Sequence, residues 1–179
     1  MNIRIIAGKF GGRFIQAPDG KVTHPMSDRV RGSLFNMIAD ILPGSEVLDA
    51  FSGTGALGIE ALSRGAKNAT FIERDRNASL ILNENLKSLN INSDARAYKI
   101  GLSTWIDKNI DRRFDIILAD PPYDDLQLST IERLGGLLKP NGLMLLSYPG
   151  RCEAPNLNGI VVVDNRSYGT AALAFYRKK

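Results

Sequence analysis

Cysteine and histidine are almost absent from this chain. A single cysteine, Cys152, leaves no intramolecular disulfide framework and no multi-cysteine zinc or iron–sulfur site. A single histidine, His24, leaves no His-pair metal motif, so no metal is expected. No apolar run approaches the roughly 18 residues that a membrane span needs. Met1–Phe10 carries no apolar core of a secretory signal, and a reducing, cytoplasmic setting is the expectation. Internal repeats and low-complexity tracts are missing too. What remains is ordinary for a folded protein: 179 residues, 44% hydrophobic and 23% charged. That is enough for one domain, or one domain with a small appendage, without a disulfide or metal to hold it.

The net charge is only +4, but it is unevenly placed. Residues 1–35 hold six bases (Arg4, Lys9, Arg13, Lys21, Arg29 and Arg31) against two acids, Asp19 and Asp28. The rest of the chain holds 17 of each sign and is neutral. A localised basic stretch is the footprint of a phosphate-binding surface; the competing reading is a solvated face that aids solubility.

Periodicity divides the chain in two. In residues 1–41, short β-type runs around Gly8, Gly11 and Gly12 read as a hairpin. Val30, Leu34, Ile38 and Ile41 then read as an amphipathic helix from Asp28 to Ile41, capped by Ser27 or Asp28. From 42 to 179, strands are expected at 46–50, 69–73, 95–100, 114–119 and 142–148. Helices are expected at 56–64, 77–89 (apolar at Leu80, Ile81, Leu82, Leu86 and Leu89) and 126–138. The tail, Ile160–Val163 and Ala171–Tyr176 around a short turn, must pair antiparallel. Alternating strands and helices mean a doubly wound, mostly parallel α/β sheet covered on both faces, closed by that antiparallel hairpin.

Between the first core strand and the next helix lies Phe51-Ser-Gly53-Thr-Gly55-Ala-Leu-Gly58, a G-x-G-x-x-G. Its glycines allow a sharp turn and close backbone approach to a ligand. Glu73 ends the second strand 20 residues after Gly53, where a carboxylate can accept from two ribose hydroxyls. Both features also fit a nicotinamide dinucleotide, and an oxidoreductase is one alternative. Asp49 argues against it. A carboxylate at the mouth of the first strand would repel a pyrophosphate and favour S-adenosylmethionine, with its ammonium and sulfonium; a unit charge pair at ~4 Å is worth about 4 kcal/mol at an effective dielectric near 20.

The fourth strand ends in Asp120-Pro121-Pro122-Tyr123. Open α/β sheets bind ligands at the carboxyl ends of their strands, so this tetrapeptide should face the same cleft as the glycine loop. An exocyclic amino group of a nucleobase is a poor nucleophile because its lone pair is delocalised into the ring. The Asp120 carboxylate and the Pro121 carbonyl would accept its two hydrogens and turn its lone pair toward a methyl donor. Pro121 and Pro122 would hold those acceptors rigid, and Tyr123 would stack on a base flipped out of its helix or taken from a loop.

With these residues assembled, the chain resembles the bacterial 16S ribosomal RNA guanine-N2 methyltransferases of the RsmD type, within the class I S-adenosylmethionine-dependent enzymes. The matching stretches are Arg4–Arg13, Asp28–Asn36, Val47–Gly65, Asp120–Tyr123 and Ser167–Thr170. The resemblance implies a Rossmann-like seven-stranded sheet with an N-terminal extension. It implies methyl transfer to the N2 of one guanine in small-subunit rRNA, within the assembling or assembled 30S particle, by a monomer. It also implies a cofactor site of Asp49, Phe51, Ser52, Gly53, Thr54, Gly55, Glu73 and Arg74. Lys9, Arg13, Arg29 and Arg31 are the candidate RNA contacts, one of the last two being an alternative partner of the cofactor carboxylate.

Two positions depart from the family pattern. Gly101 stands where an Asp usually follows the third core strand, which leaves the cofactor's adenine to backbone groups or to Ser103. His24-Pro25-Met26-Ser27 replaces Arg-Pro-Thr. Competing functions are adenine-N6 methylation of DNA or RNA with the same tetrapeptide, and a ribosome-binding module without activity. His24 reads as a loop residue, Cys152 as inert for want of a histidine, Trp105 as core or a helix anchor, and Arg112 and Arg113 as a solvated pair.

Overall fold

The computed structural model describes residues 1–19 and 25–179; His24 and Lys21 lie outside them. The chain opens with an antiparallel hairpin, β1 (Asn2–Arg4) and β2 (Phe14–Gln16), followed by α1 (Asp28–Met37). Then come β3 (Glu46–Asp49), α2 (Ala56–Ser63), β4 (Asn68–Glu73), α3 (Arg76–Ser88), β5 (Ala95–Lys99), α4 (Leu102–Lys108) and β6 (Phe114–Ala119). α5 (Leu128–Leu134), a 3-10 turn over Gly135–Leu137, β7 (Leu138–Pro149), β8 (Ile160–Tyr168) and β9 (Ala171–Lys178) complete it.

The seven core strands lie in the order β5-β4-β3-β6-β7-β9-β8. β5 through β7 are parallel, while β9 and β8 pair antiparallel. The expected class I, Rossmann-like sheet with a closing antiparallel hairpin is therefore what the chain forms. The strand order reverses between β3 and β6, and in such sheets the ligand crevice opens at that switch point.

Alternation along the strands sorts side chains onto two faces. Val47, Ile116, Leu118, Leu143 and Leu145 share one hydrophobic cluster with Ile59, Leu82 and Leu86 of α2 and α3. Leu48, Ile117, Met144 and Leu146 point the other way, to Trp105, Ile106, Ile131 and Leu134 of α4 and α5. The N-terminal extension adds Ile3, Ile5, Phe10, Ile15, Leu34 and Phe35 to the first cluster. The hairpin and α1 thus lie over α2 and α3 and share their core.

Several boundaries differ from expectation. α1 is capped by Ser27, whose side chain accepts from the Val30 N–H, and it ends at Met37. Ile38 leaves helical geometry, and Ile41 is exposed. Leu80 is 55% exposed, so the buried face of α3 is Leu82 and Leu86 with Ser79 and Asn85. α5 starts two residues late because Gln127 takes a left-handed conformation, φ 51°, and its last turn tightens to 3-10 at Gly135. α4 was not anticipated, although Leu102, Trp105 and Ile106 carry its i, i+3, i+4 signal; Trp105 is 1% exposed and is core.

Candidate active site

The glycine loop is built by its backbone. Gly53 and Gly55 take φ values of 54° and 94°, which L side chains rarely adopt. Gly58 serves packing instead: a Cβ there would lie 2.3 Å from the Phe71 ring, so only glycine lets α2 lie this close to β4. Ser52 and Thr54 are buried and brace the loop. The Ser52 hydroxyl donates to the Asp49 carbonyl at 2.9 Å, and the Thr54 carbonyl accepts from the Asn85 side chain at 2.9 Å. Phe51 is half-buried against the α4–α5 cluster.

Asp49 lies fully buried at the root of the loop. Its Oδ2 accepts from the Gly58 N–H at 2.9 Å, while its Oδ1 is buried without a partner. Burial pushes this carboxyl up to about 7, against the Gly58 hydrogen bond that works to lower it, and the negative charges of Asp120 and Glu73 raise it further. Glu73, at the end of β4, accepts from the Gly53 N–H through Oε2 and from the Asp75 N–H through Oε1, each at 2.7 Å. Burial raises it too, partly offset by those two bonds. A carboxylate offers about four lone-pair sites, so two remain for hydroxyl donors.

Asp120 follows β6 directly. Burial lifts it to about 6, against the lowering effect of the Ser147 hydroxyl. Pro121 is buried and Pro122 exposed. The Tyr123 ring is 40% exposed, and its hydroxyl lies 2.6 Å from Ser147 Oγ. Burial raises the Tyr123 pKa first, the Ser147 hydrogen bond lowers it, and the Asp120 charge raises it. The structure thus brings the glycine loop, Asp49, Glu73 and Asp120 to one crevice at the β3/β6 switch point.

Three acids converge there, with Arg74 acting on Glu73, and one buried carboxylate oxygen is orphaned. Such a floor fits a ligand that carries positive charge and donates hydrogen bonds. S-adenosylmethionine meets both conditions: Asp49 would face its ammonium and Glu73 its ribose hydroxyls. Around Gly101 a Cβ would meet nothing within 4 Å, so that rim of the crevice is open. The Ser103 hydroxyl accepts from the Arg133 side chain at 3.0 Å, and that bond competes with any contact to an adenine. Arg74 is 62% exposed and pairs with Asp125 at 3.5 Å, tying the end of β4 to the loop beyond Tyr123.

The expected RNA contacts separate. Arg31 is 1% exposed, and its guanidinium donates to the carbonyls of Arg4 and Met26 and to Asp28. It is a structural clamp between α1 and β1, and leaves the phosphate-facing set for that reason. Lys9, Arg13 and Arg29 are exposed. The Lys9 N–H bonds the carbonyl of Ser63 and the Arg13 guanidinium that of Ser88, the last residues of α2 and α3. The Lys9 backbone therefore stands about 12 Å, the length of α2, from the helix end that carries the glycine loop, and Arg13 sits at the far end of α3, about 20 Å from that helix's first turn. Arg29 sits on the first turn of α1, and one turn further on Ser33 bonds the Tyr168 hydroxyl at 2.6 Å.

Sequence reasoning missed three supporting residues. Asn85 links Gln16 to Thr54. Glu60, buried on α2, accepts from the N–H groups of Ile6 and Ala7. Ser147 is a polar residue near the end of an apolar strand, which was its readable signal.

Residues 3–177 match the family model described as conserved hypothetical protein 95. Escherichia coli ribosomal RNA small subunit methyltransferase D is 39% identical over 146 residues, which cover 78% of this chain and 68% of that protein. The chain belongs to the RsmD family of methyltransferases. Bacillus subtilis YlbH is 33% identical over 183 residues, covering 99% of this chain and 100% of YlbH. The solved structure of Escherichia coli yhhF superposes with a TM-score of 0.87 at 32% identity, covering 100% of this chain and 99% of that one.

Proposed function

We propose that this protein transfers the methyl group of S-adenosylmethionine to the exocyclic N2 of a guanine in small-subunit rRNA. The observation that carries the reading is Asp120-Pro-Pro-Tyr123 set beside the acidic glycine-loop crevice, in a chain of the RsmD family. The bound cofactor supplies an electrophilic methyl group on a sulfonium. This chain's residues do the rest. Asp49 and Glu73 hold the donor, with Phe51, the 52–55 backbone and Arg74 around it. Asp120 and the Pro121 carbonyl accept the two N2 hydrogens and localise the nitrogen lone pair. Pro122 stiffens the turn, and Tyr123 offers its exposed face to the base. Once methylated at the expense of the donor's sulfonium–methyl bond, N2 would be strongly acidic. The Asp120 carboxylate would take the released proton and pass it to water.

Lys9, Arg13 and Arg29 are the phosphate contacts in this reading. Their spread implies a substrate that reaches well beyond the crevice, as a folded rRNA domain in the assembling or assembled 30S particle would. The protein acts as a monomer in the cytoplasm, where that particle is made. The test is tritium-methyl transfer from S-adenosylmethionine to 30S particles lacking the modification, with naked 16S rRNA and DNA in parallel. Transfer to the particle or its rRNA supports the reading; label in DNA alone, or in adenine, would instead establish the adenine-N6 alternative.

A further inference from the structure

Ser147 has no part in the motifs above, yet it is placed among them. It lies on β7, 1% exposed, in a run of buried apolar residues. Ala119 of β6 pairs with Leu146 of β7 in parallel register. The next residues along the chain are Asp120, directly past the end of β6, and Ser147 of β7, which places the two side by side, and the Ser147 hydroxyl acts on the Asp120 carboxyl. Alternation puts both on the face that also carries Ile116, Leu118, Leu143 and Leu145. From the other side, the Tyr123 hydroxyl meets Ser147 Oγ at 2.6 Å. A hydroxyl carries one proton and two lone pairs. With an ionised carboxylate on one side and a phenol on the other, one arrangement satisfies every group: tyrosine donates to serine, and serine donates toward Asp120.

We propose that Ser147 is a positioning residue for methyl transfer, whose one buried hydroxyl locks the Tyr123 ring and the Asp120 carboxylate into a fixed mutual geometry. The inference rests on the methyltransferase reading given above. The ring that stacks on the base and the acceptor that aligns its amino group sit on a proline-stiffened turn. Their spacing there still depends on side-chain torsions, and in β7 a rigid strand supplies the anchor from outside the loop. Reaction rates are sensitive to such alignment. The lowering effect of Ser147 on the carboxyl of Asp120 points the same way. Among the described residues, the titratable groups that feel the charge of Asp120 are Tyr123 of its own loop and Asp49 at the end of β3.

The test compares Ser147→Ala, Ser147→Thr, Tyr123→Phe and the Ser147→Ala/Tyr123→Phe double variant with the wild type. Single-turnover methyl transfer to undermodified 30S particles is followed from pH 5 to 9 at saturating S-adenosylmethionine. Calorimetry measures cofactor affinity separately. Expected are about tenfold losses in rate for Ser147→Ala and for Tyr123→Phe, with unchanged cofactor affinity. The double variant should be no slower than Ser147→Ala alone, because both changes break one linkage. The acid limb of the rate profile should move to higher pH in Ser147→Ala and return in Ser147→Thr. Wild-type rates in both single variants, or losses that multiply in the double variant, would overturn the inference while leaving the proposed function standing. Tyr123→Phe removes a single hydroxyl from a partly exposed side chain, so this comparison survives even if Ser147→Ala fails to fold. A wild type that transfers no methyl to rRNA would overturn the function itself, and this inference with it.

Discussion

Three carboxylates of the crevice have separable tasks. Glu73→Ala should weaken S-adenosylmethionine binding by about 1.5–3 kcal/mol, tenfold or more, for the loss of a charged acceptor. The same change strands the Gly53 and Asp75 N–H groups, so Glu73→Gln, which keeps an acceptor, should lose less; calorimetry on both separates ribose contact from loop bracing. Asp120→Ala should cut the single-turnover rate about a hundredfold or more with cofactor affinity intact, as loss of a positioned proton acceptor does. Asp49 makes a pH prediction. Its folded pKa, about 7, is above its ordinary 3.8. Ionisation therefore opposes folding: the cofactor-free protein should lose stability as pH rises from about 4 through 7. Asp49→Asn should melt higher than the wild type at pH 8 and no higher at pH 4. It should also bind S-adenosylmethionine more weakly at pH 8, and wild-type affinity should fall below pH 7. Equal melting temperatures at both pH values would contradict this assignment.

At the scale of elements, α2 depends on glycine at two different points. Gly55 turns the chain into the helix, and Gly58 lets the helix approach β4. Gly58→Ala would press a methyl group into the Phe71 ring and should cost about 1–3 kcal/mol in chemical denaturation, as overpacking does. Phe71→Leu should recover part of that loss. The glycine fingerprint, the strand-end acids and the parallel order were legible because they are local patterns of spacing. The fate of Arg31 was not. Its sequence says only that a cation sits one helix turn from Asp28, and its burial comes from the Arg4 and Met26 carbonyls that tertiary packing delivers. Ser147 was hidden similarly, since its partner Tyr123 is 24 residues away and the link between them exists only through the β6–β7 register. Leu80 misled because an apolar residue on α3 need not face inward.

Over the whole molecule, charge is arranged by sign. Asp49, Glu73 and Asp120 gather at the crevice, and the exposed cations of the extension stand apart from one another, Arg29 on the first turn of α1, Lys9 at the end of α2 and Arg13 at the end of α3. A cationic cofactor and a polyanionic substrate would thereby be drawn to different regions. Each neutralised phosphate contributes a slope of about −0.7 to −0.9 to the log–log salt dependence of binding. Lys9→Ala/Arg13→Ala should therefore flatten that plot by about one to two units and leave cofactor affinity unchanged. A wild-type slope would mean that these two cations are only solvated.

The central claim is methyl transfer to guanine N2 in small-subunit rRNA, and the product nucleoside tests it most directly. Undermodified 30S particles are incubated with the protein and methyl-labelled S-adenosylmethionine, and their 16S rRNA is digested and analysed by mass spectrometry. Label is expected in N2-methylguanosine at close to one per particle, accumulating about a hundredfold more slowly or worse with Asp120→Ala. Label in N6-methyladenosine, or no labelled nucleoside from a folded protein that binds the cofactor, would contradict it.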